Sequence, residues 1–314
     1  MSEKLKKRKK IRCLTLAGGG FYGYAHVGAL KELEKYKEYF EINDIRGVSV
    51  GSIVATLYAV GYTPDDLTQI LFDMDFDKLI RDNKFPYFKL LEKYGLYEAK
   101  KLEEEIERLI RIKTNIGYCT FSQIKINLTI FSTNLNYQCP RAFNRDNTPR
   151  MALSKAVRLS IGYPIIMVPV LFEGDFYGDG GEFMNYPITL SPNGAGYAGS
   201  SDSGIITIKN LDETIGITFA AHNEHRNGML KNRIEINDIS DYAKSLGVTM
   251  SRAAYVSQVT DEYWKRTIVI HITNDINSMQ FNLTKEQKEF IYQCGVDAVR
   301  EQASEILGIE KIDI

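Results

Sequence analysis

The segment LTLAGGGFYGYAHVGAL, residues 14–30, places four glycines within six positions. An apolar run, Ile11 to Leu16, precedes the glycines and predicts a strand, and the apolar residues after them recur at helical spacing. Where a strand turns into a helix through glycines, backbone N–H groups can closely approach an anion at the start of the helix. The segment therefore predicts an α/β fold with an anion-binding turn near its beginning.

Two interpretations of this glycine turn are open. Gly18, Gly20 and Gly23 form the G-x-G-x-x-G pattern of dinucleotide-binding proteins. The same N–H groups would also stabilise an oxyanion formed during a reaction. A dinucleotide fold requires an acidic residue about twenty positions further on, at the end of the second strand. Glu41 and Asp44 are near that distance, but they precede the next apolar run and so lie at its wrong end.

The second apolar run ends in GVSVGS, residues 47–52, which contains the G-x-S-x-G pattern of a serine nucleophile. A sharp strand-to-helix turn is expected to strain Ser49 and expose its Oγ, and Gly47 and Gly51 would lie too close to their neighbours for a Cβ. Attack of a serine on an ester creates an oxyanion that needs fixed N–H donors nearby. The two turns together predict an acyl-transfer site. The predicted oxyanion donors are Gly18, Gly19 and Gly20.

The alternation of strands and helices along the chain predicts a largely parallel sheet flanked by helices. Both turns are similar to the N-terminal blocks of patatin-like phospholipases, and two later segments agree with that family. Residues 155–170, KAVRLSIGYPIIMVPV, resemble the family's segment with a proline-marked turn. Residues 177–188, YGDGGEFMNYPI, resemble its D-G-G…N-x-P block, and the match extends from about Leu14 to Ile188.

The resemblance implies a patatin-like, three-layer α/β/α fold with a mostly parallel central sheet. It also implies a catalytic pair, in which Ser49 is the nucleophile and Asp179 is the general base. The expected activity is lipid acyl hydrolysis of the phospholipase A type, through an acyl-enzyme and without calcium or another cofactor. The expected partners are a phospholipid or other lipid ester and the surface of a membrane.

Two alternatives fit part of the pattern. An α/β-hydrolase esterase with a Ser-His-Asp triad would use Ser49, Asp179 and one of His222, His225 or His271. However, only one strand–helix unit precedes Ser49. A non-catalytic module that binds lipid or nucleotide through the glycine turn is the second alternative.

His26 is not predicted to be catalytic, and the two histidines of the segment HNEH, residues 222–225, are not predicted to bind a metal. His26 lies one turn into the first predicted helix and is expected to be packed and hydrogen-bonded rather than catalytic. The histidines of the HNEH segment are spaced like a metal pair, but the sequence offers no clear third ligand. No metal site is therefore predicted.

Composition limits the location and partners of the chain. The 314 residues carry a net charge of −1, so no nucleic-acid partner is expected. Four scattered cysteines form neither a metal pattern nor a disulfide framework, which indicates a reducing compartment. The longest uninterrupted apolar stretch, residues 165–172, is too short to span a bilayer, and no apolar segment of signal-peptide length precedes Gly18. We expect a cytoplasmic protein whose membrane contact is peripheral.

The chain is expected to form a single catalytic domain, residues 13–314, after a basic and flexible tail, residues 1–12. Residues 191–204, SPNGAGYAGSSDSG, lack apolar periodicity and predict a flexible surface loop. The aromatic-rich segment FPYFKLLEKYGLY, residues 85–97, has three interpretations: it lines an acyl pocket, forms a lid or packs in the core.

Overall fold

The computed structural model describes residues 10–82, 86–189, 211–221, 235–259, 261–274 and 276–310. Strands and helices alternate over much of this length. The strands are β1 (Ile11–Leu16), β2 (Phe40–Val48), β3 (Gly95–Tyr97), β4 (Asn127–Asn134), β5 (Cys139–Phe143), β6 (Ile165–Met167), β7 (Val170–Phe172), β8 (Asp175–Gly178), β9 (Thr214–Ala221) and β10 (Thr267–Ile272). The helices are α1 (Gly23–Leu33), α2 (Val50–Ala59), α3 (Pro64–Asp73), α4 (Phe76–Ile80), α5 (Pro86–Lys93), α6 (Lys100–Thr114), α7 (Leu153–Ser160), α8 (Gly181–Met184), α9 (Ile239–Gln258), α10 (Asp261–Trp264) and α11 (Lys285–Leu307).

Eight strands of the described residues form one sheet in the order β10-β9-β1-β2-β4-β8-β7, with β5 also paired to β4. The strands from β10 to β4 in that order are parallel, whereas β5, β7 and β8 are antiparallel to their neighbours. The predicted fold class, a mostly parallel central sheet flanked by helices, is confirmed. Strands β3 and β6 form a separate parallel pair.

The register of the central strands brings the two predicted turns together. Leu16 in β1 lies beside Gly47 in β2, so the residues that follow each strand leave the same edge of the sheet. Apolar side chains of these strands are fully buried, including Leu14, Ile45 and Ile217. Burial of such residues on both faces is what a parallel sheet covered by helices requires. The glycine turn and Ser49 are thus held by the most buried part of the molecule.

Local sequence signals explain the start of α3 and the buried face of α6. Thr63 caps α3: its side chain accepts the Asp66 N–H, the Asp66 side chain accepts the Thr63 N–H, and Pro64 occupies the first helical position. On α6, four apolar residues at helical spacing are buried. They are Leu102, Ile106, Leu109 and Ile110. Across the described residues no helix combines the length and apolar character needed to cross a bilayer.

The structure changes two expectations, and others concern residues outside the described ranges. Strand β1 begins at Ile11, so the last two residues of the predicted tail belong to the sheet. Residues 1–9, the predicted loop 191–204 and the histidines at 222 and 225 lie outside the described residues. Residues 86–97 of the aromatic-rich segment include α5 and β3, and core packing is the wrong interpretation for Phe88 and Tyr94, which are both exposed.

Candidate active site

Ser49 occupies a sharp turn between β2 and α2. Its φ is 51° and its ψ is −127°, a conformation that a residue with a side chain adopts only under strain. A Cβ on Gly51 would lie 2.5 Å from the carbonyl oxygens of Leu16 and Ala17, and one on Gly47 would lie 2.6 Å from the carbonyl oxygen of Gly51. Both glycines are therefore required by close approach, as the G-x-S-x-G spacing predicts, and Ser49 remains partly exposed.

Two further serines hold this turn in place. The Ser49 N–H donates to Ser160 Oγ at 2.8 Å, and the Ser160 hydroxyl donates to the Phe131 carbonyl at 2.6 Å. The Ser52 hydroxyl donates to the Ser49 carbonyl at 2.6 Å. Ser160 ends α7, far from Ser49 in sequence, so the pattern around Ser49 carries no sign of this contact.

Asp179 follows β8 and meets Ser49 directly. The Ser49 hydroxyl donates to Asp179 Oδ2 at 2.8 Å. Oδ2 also accepts the Gly162 N–H at 3.3 Å, and Oδ1 accepts the Gly181 N–H at 2.8 Å. Burial raises the pKa of Asp179 above its usual value, and these three hydrogen bonds oppose that rise. The carboxylate is thus oriented on both oxygens and points at the serine.

A second carboxyl group, Glu182, lies beside Asp179. Glu182 Oε1 accepts the Asp179 N–H at 3.2 Å. Burial and the nearby Asp179 charge raise the pKa of Glu182 from 4.5 to about 8. Because the two carboxyl groups are adjacent, ionisation of either one disfavours ionisation of the other. Glu182 lies inside the DGGEFMN segment, but nothing in that pattern indicates that it faces the aspartate.

The glycine turn lies against Ser49, and its N–H groups are not equivalent. A Cβ on Gly18 would lie 3.2 Å from Ser49 Cβ. The Gly18 N–H donates to the Asn185 carbonyl at 2.9 Å, and the Asn185 amide donates back to the Gly18 carbonyl at 3.1 Å. Nothing among the described residues accepts a hydrogen bond from the N–H of Gly19 or Gly20. Of the three glycines, only Gly18 therefore has its N–H engaged by another described residue.

Neither histidine within the described residues contacts the Ser49–Asp179 pair. His26 Nε2 lies 2.8 Å from the Ala17 carbonyl oxygen, and the ring lies 4.4 Å from that of Phe219. Burial lowers the pKa of His26 to about 4, so the ring is neutral, packed and hydrogen-bonded, as expected. His271 lies on β10, with its side chain exposed. Across the described ranges, no group of three His, Cys, Asp or Glu side chains is placed to hold a metal ion.

The fold and this pair of turns define an α/β hydrolytic enzyme with its candidate nucleophile at a strand-to-helix turn. Comparison with known proteins specifies the family. Residues 14–191 match the sequence profile described as patatin-like phospholipase. This match covers more than half of the chain, so the protein belongs to the patatin-like phospholipase family and is a lipid hydrolase.

Individual relatives and a solved structure are also similar to this chain. The chain is 54% identical over 300 residues to Uncharacterized protein R571 of Acanthamoeba polyphaga mimivirus, covering 95% of this chain and 96% of that protein. It is 30% identical over 193 residues to a protein of Invertebrate iridescent virus 6 named Probable lipid hydrolase 463L, covering 59% and 64% of the two chains. The crystal structure of VipD from Legionella pneumophila aligns with a TM-score of 0.56 at 15% identity, over 98% of this chain and 72% of that one. The last comparison concerns the fold alone.

Proposed function

We propose that the protein hydrolyses fatty-acyl esters of phospholipids or other lipids through a covalent Ser49 acyl-enzyme. Asp179 acts as the general base, and the glycine turn supplies the oxyanion hole. The observation that carries the proposal is the 2.8 Å hydrogen bond from the Ser49 hydroxyl to Asp179 Oδ2 at a strained turn. A nucleophile within hydrogen-bond reach of an oriented base is the arrangement that covalent catalysis needs.

The first half of the reaction forms the acyl-enzyme. Asp179 Oδ2 takes the Ser49 proton as Oγ attacks the ester carbonyl carbon, and the negative charge moves to the carbonyl oxygen. The intermediate then collapses: the C–O bond to the alcohol breaks, and the protonated Asp179 returns its proton to the leaving oxygen. The deacylated lipid leaves, and the acyl chain stays on Ser49.

The second half releases the fatty acid. Asp179 removes a proton from water, whose oxygen attacks the acyl carbon, and collapse of this second intermediate returns the proton to Ser49 Oγ. Both intermediates carry an oxyanion. Since the Gly18 N–H already donates to Asn185, the donors for the oxyanion are the N–H groups of Gly19 and Gly20, with Gly18 keeping the turn against Asn185.

Mass spectrometry of the products from a mixed lipid panel tests this function. The full chain is incubated with diacyl phospholipids, lysophospholipids and neutral glycerolipids, and free fatty acids and deacylated lipids are measured. Ser49→Ala should release no fatty acid. Ser122→Ala, which removes an exposed hydroxyl, is the matched control and should behave as the unmodified chain does. Equal release by Ser49→Ala, or no deacylation of any lipid by the unmodified chain, would overturn the proposal.

A further inference from the structure

Helix α5 presents an apolar face to solvent. Phe88 is 71% exposed and Leu91 is 83% exposed, and Tyr94, just after the helix, is 62% exposed. Their spacing of three residues places the first two on one side of the helix. Single exposed apolar side chains are ordinary, but a contiguous group on one helix face marks an interaction surface.

This apolar face continues towards the candidate active site. The Tyr94 ring meets the Phe176 ring edge-on at 5.8 Å. Phe176 in β8 pairs with Leu171 in β7, which is 60% exposed, so these two side chains share a face of the hairpin. Phe176 precedes Asp179 by three residues, a distance along the strand of at most about 10 Å. We call Phe88, Leu91, Tyr94 and Leu171 the α5 surface.

Positive charge lies next to the α5 surface. The ammonium groups of Lys89, Lys93 and Lys100 all bond to one carboxylate, that of Glu98, with distances of 2.7 Å from Lys93 and 2.8 Å from Lys100. Residues 86–101 as a whole carry four lysines and two glutamates. Apolar side chains flanked by surplus lysines complement a bilayer whose surface carries anionic phosphates.

From these features we propose that the α5 surface docks the protein onto a phospholipid bilayer that contains anionic lipid. Its apolar side chains enter the acyl boundary, and the lysines meet the phosphate groups. The inference rests on the proposed function, because a lipid ester would then pass to Ser49 from the bilayer beside it. A second protein chain fits this surface less well: an eight-residue helix is about 12 Å long, and its one face offers far less than the roughly 800 Å² per partner of a stable interface.

Vesicle co-sedimentation of the full chain tests the role of the apolar side chains in docking. Phe88→Gln with Leu91→Gln removes the two most exposed side chains, and binding to vesicles of phosphatidylcholine mixed with phosphatidylserine should fall by roughly tenfold or more. The matched control is Ile112→Gln with Tyr118→Gln, because these side chains are also exposed, at 60% and 72%, but lie outside the α5 surface. The control should bind as the unmodified chain does. Circular dichroism checks that each variant folds.

The charge is tested with Lys93→Gln combined with Lys100→Gln. Loss of two lysines near an anionic surface should weaken binding to the mixed vesicles by about fivefold per lysine, and should leave binding to phosphatidylcholine alone unchanged. Equal losses on both kinds of vesicle would contradict the role assigned to the lysines.

A soluble short-chain ester separates failure of docking from failure of catalysis. None of these residues touches Ser49 or Asp179, so turnover of the soluble ester should be unchanged in every variant while vesicle hydrolysis follows vesicle binding. Unchanged vesicle binding by Phe88→Gln/Leu91→Gln, with turnover intact, would overturn the docking surface alone. If neither the unmodified chain nor any variant turns over the soluble ester, while the variants lose vesicle binding as predicted, only the catalytic proposal is overturned. If Phe88→Gln/Leu91→Gln has a lower mass in light scattering than the unmodified chain but binds vesicles equally well, the α5 surface binds a second copy of the chain instead.

Discussion

The partly buried Glu182 should make the folded protein less stable as the pH rises, and Glu182→Gln should weaken that dependence. Its pKa is raised from 4.5 to about 8 in the folded state. A carboxyl group with a raised pKa binds its proton more tightly when folded, so its contribution is complete below pH 4.5 and is lost as the pH rises through about 8. A pKa shift of one unit corresponds to about 1.36 kcal/mol. The rise of the Glu182 pKa from 4.5 to about 8 therefore contributes about 5 kcal/mol to the free energy of unfolding at low pH.

Urea unfolding followed by circular dichroism at pH 5 and at pH 9 measures this difference. The unmodified chain should lose about 4 kcal/mol more than Glu182→Gln between these values, because about three pH units separate pH 5 from the folded pKa. Glutamine keeps an oxygen that can accept the Asp179 N–H, so the variant preserves the hydrogen bond and removes only the ionisation. Glu104→Gln, on the exposed side of α6, is the control and should match the unmodified chain. Parallel pH dependence in the unmodified chain and Glu182→Gln would refute the reasoning.

Further predictions concern the turn and the chemistry. Ser160→Ala should lower kcat about fivefold, measured on a soluble ester, because loss of a hydrogen bond worth about 1 kcal/mol loosens Ser49. Gly51→Ala should lower the free energy of unfolding in urea by about 1–3 kcal/mol or more, since its Cβ would lie 2.5 Å from the Leu16 carbonyl oxygen; an unchanged value would contradict the close approach. Fatty-acid release should be unchanged in EDTA, and activity lost in EDTA but restored by calcium would contradict a metal-free reaction. His271→Ala should retain most turnover, because the side chain points to solvent.

The parts of the site that depend on neighbouring residues in the sequence could be predicted. The strand, turn and helix around Ser49 follow from an apolar run and two glycines at fixed spacing. The parallel packing of β1 and β2 follows from the alternation of strands and helices, and it brings the glycine turn beside Ser49. The assignment of Asp179 as the base came only through resemblance to a family, since an aspartate before two glycines is most often a turn residue.

Contacts between distant segments could not be predicted from the residues alone. Ser160 and the Gly162 N–H reach the site because α7 and the segment after it pack against β4 and β8. The position of Glu182 depends on how the chain turns after Asp179. The engagement of the Gly18 N–H by Asn185 likewise depends on tertiary structure, and it narrows the proposed oxyanion donors from three glycines to two.

The Ser49–Asp179 pair is tested most directly by turnover of one soluble ester in Asp179→Asn and Ser49→Ala, each first checked for folding. Asparagine has nearly the volume of aspartate but cannot accept the serine proton, and members of one catalytic unit lose activity together. Asp146→Asn, at an exposed position, is the matched control and should keep full turnover. Turnover of Asp179→Asn should fall about as far as that of Ser49→Ala. A folded Asp179→Asn with substantial turnover, or a folded histidine variant as inactive as Ser49→Ala, would contradict it.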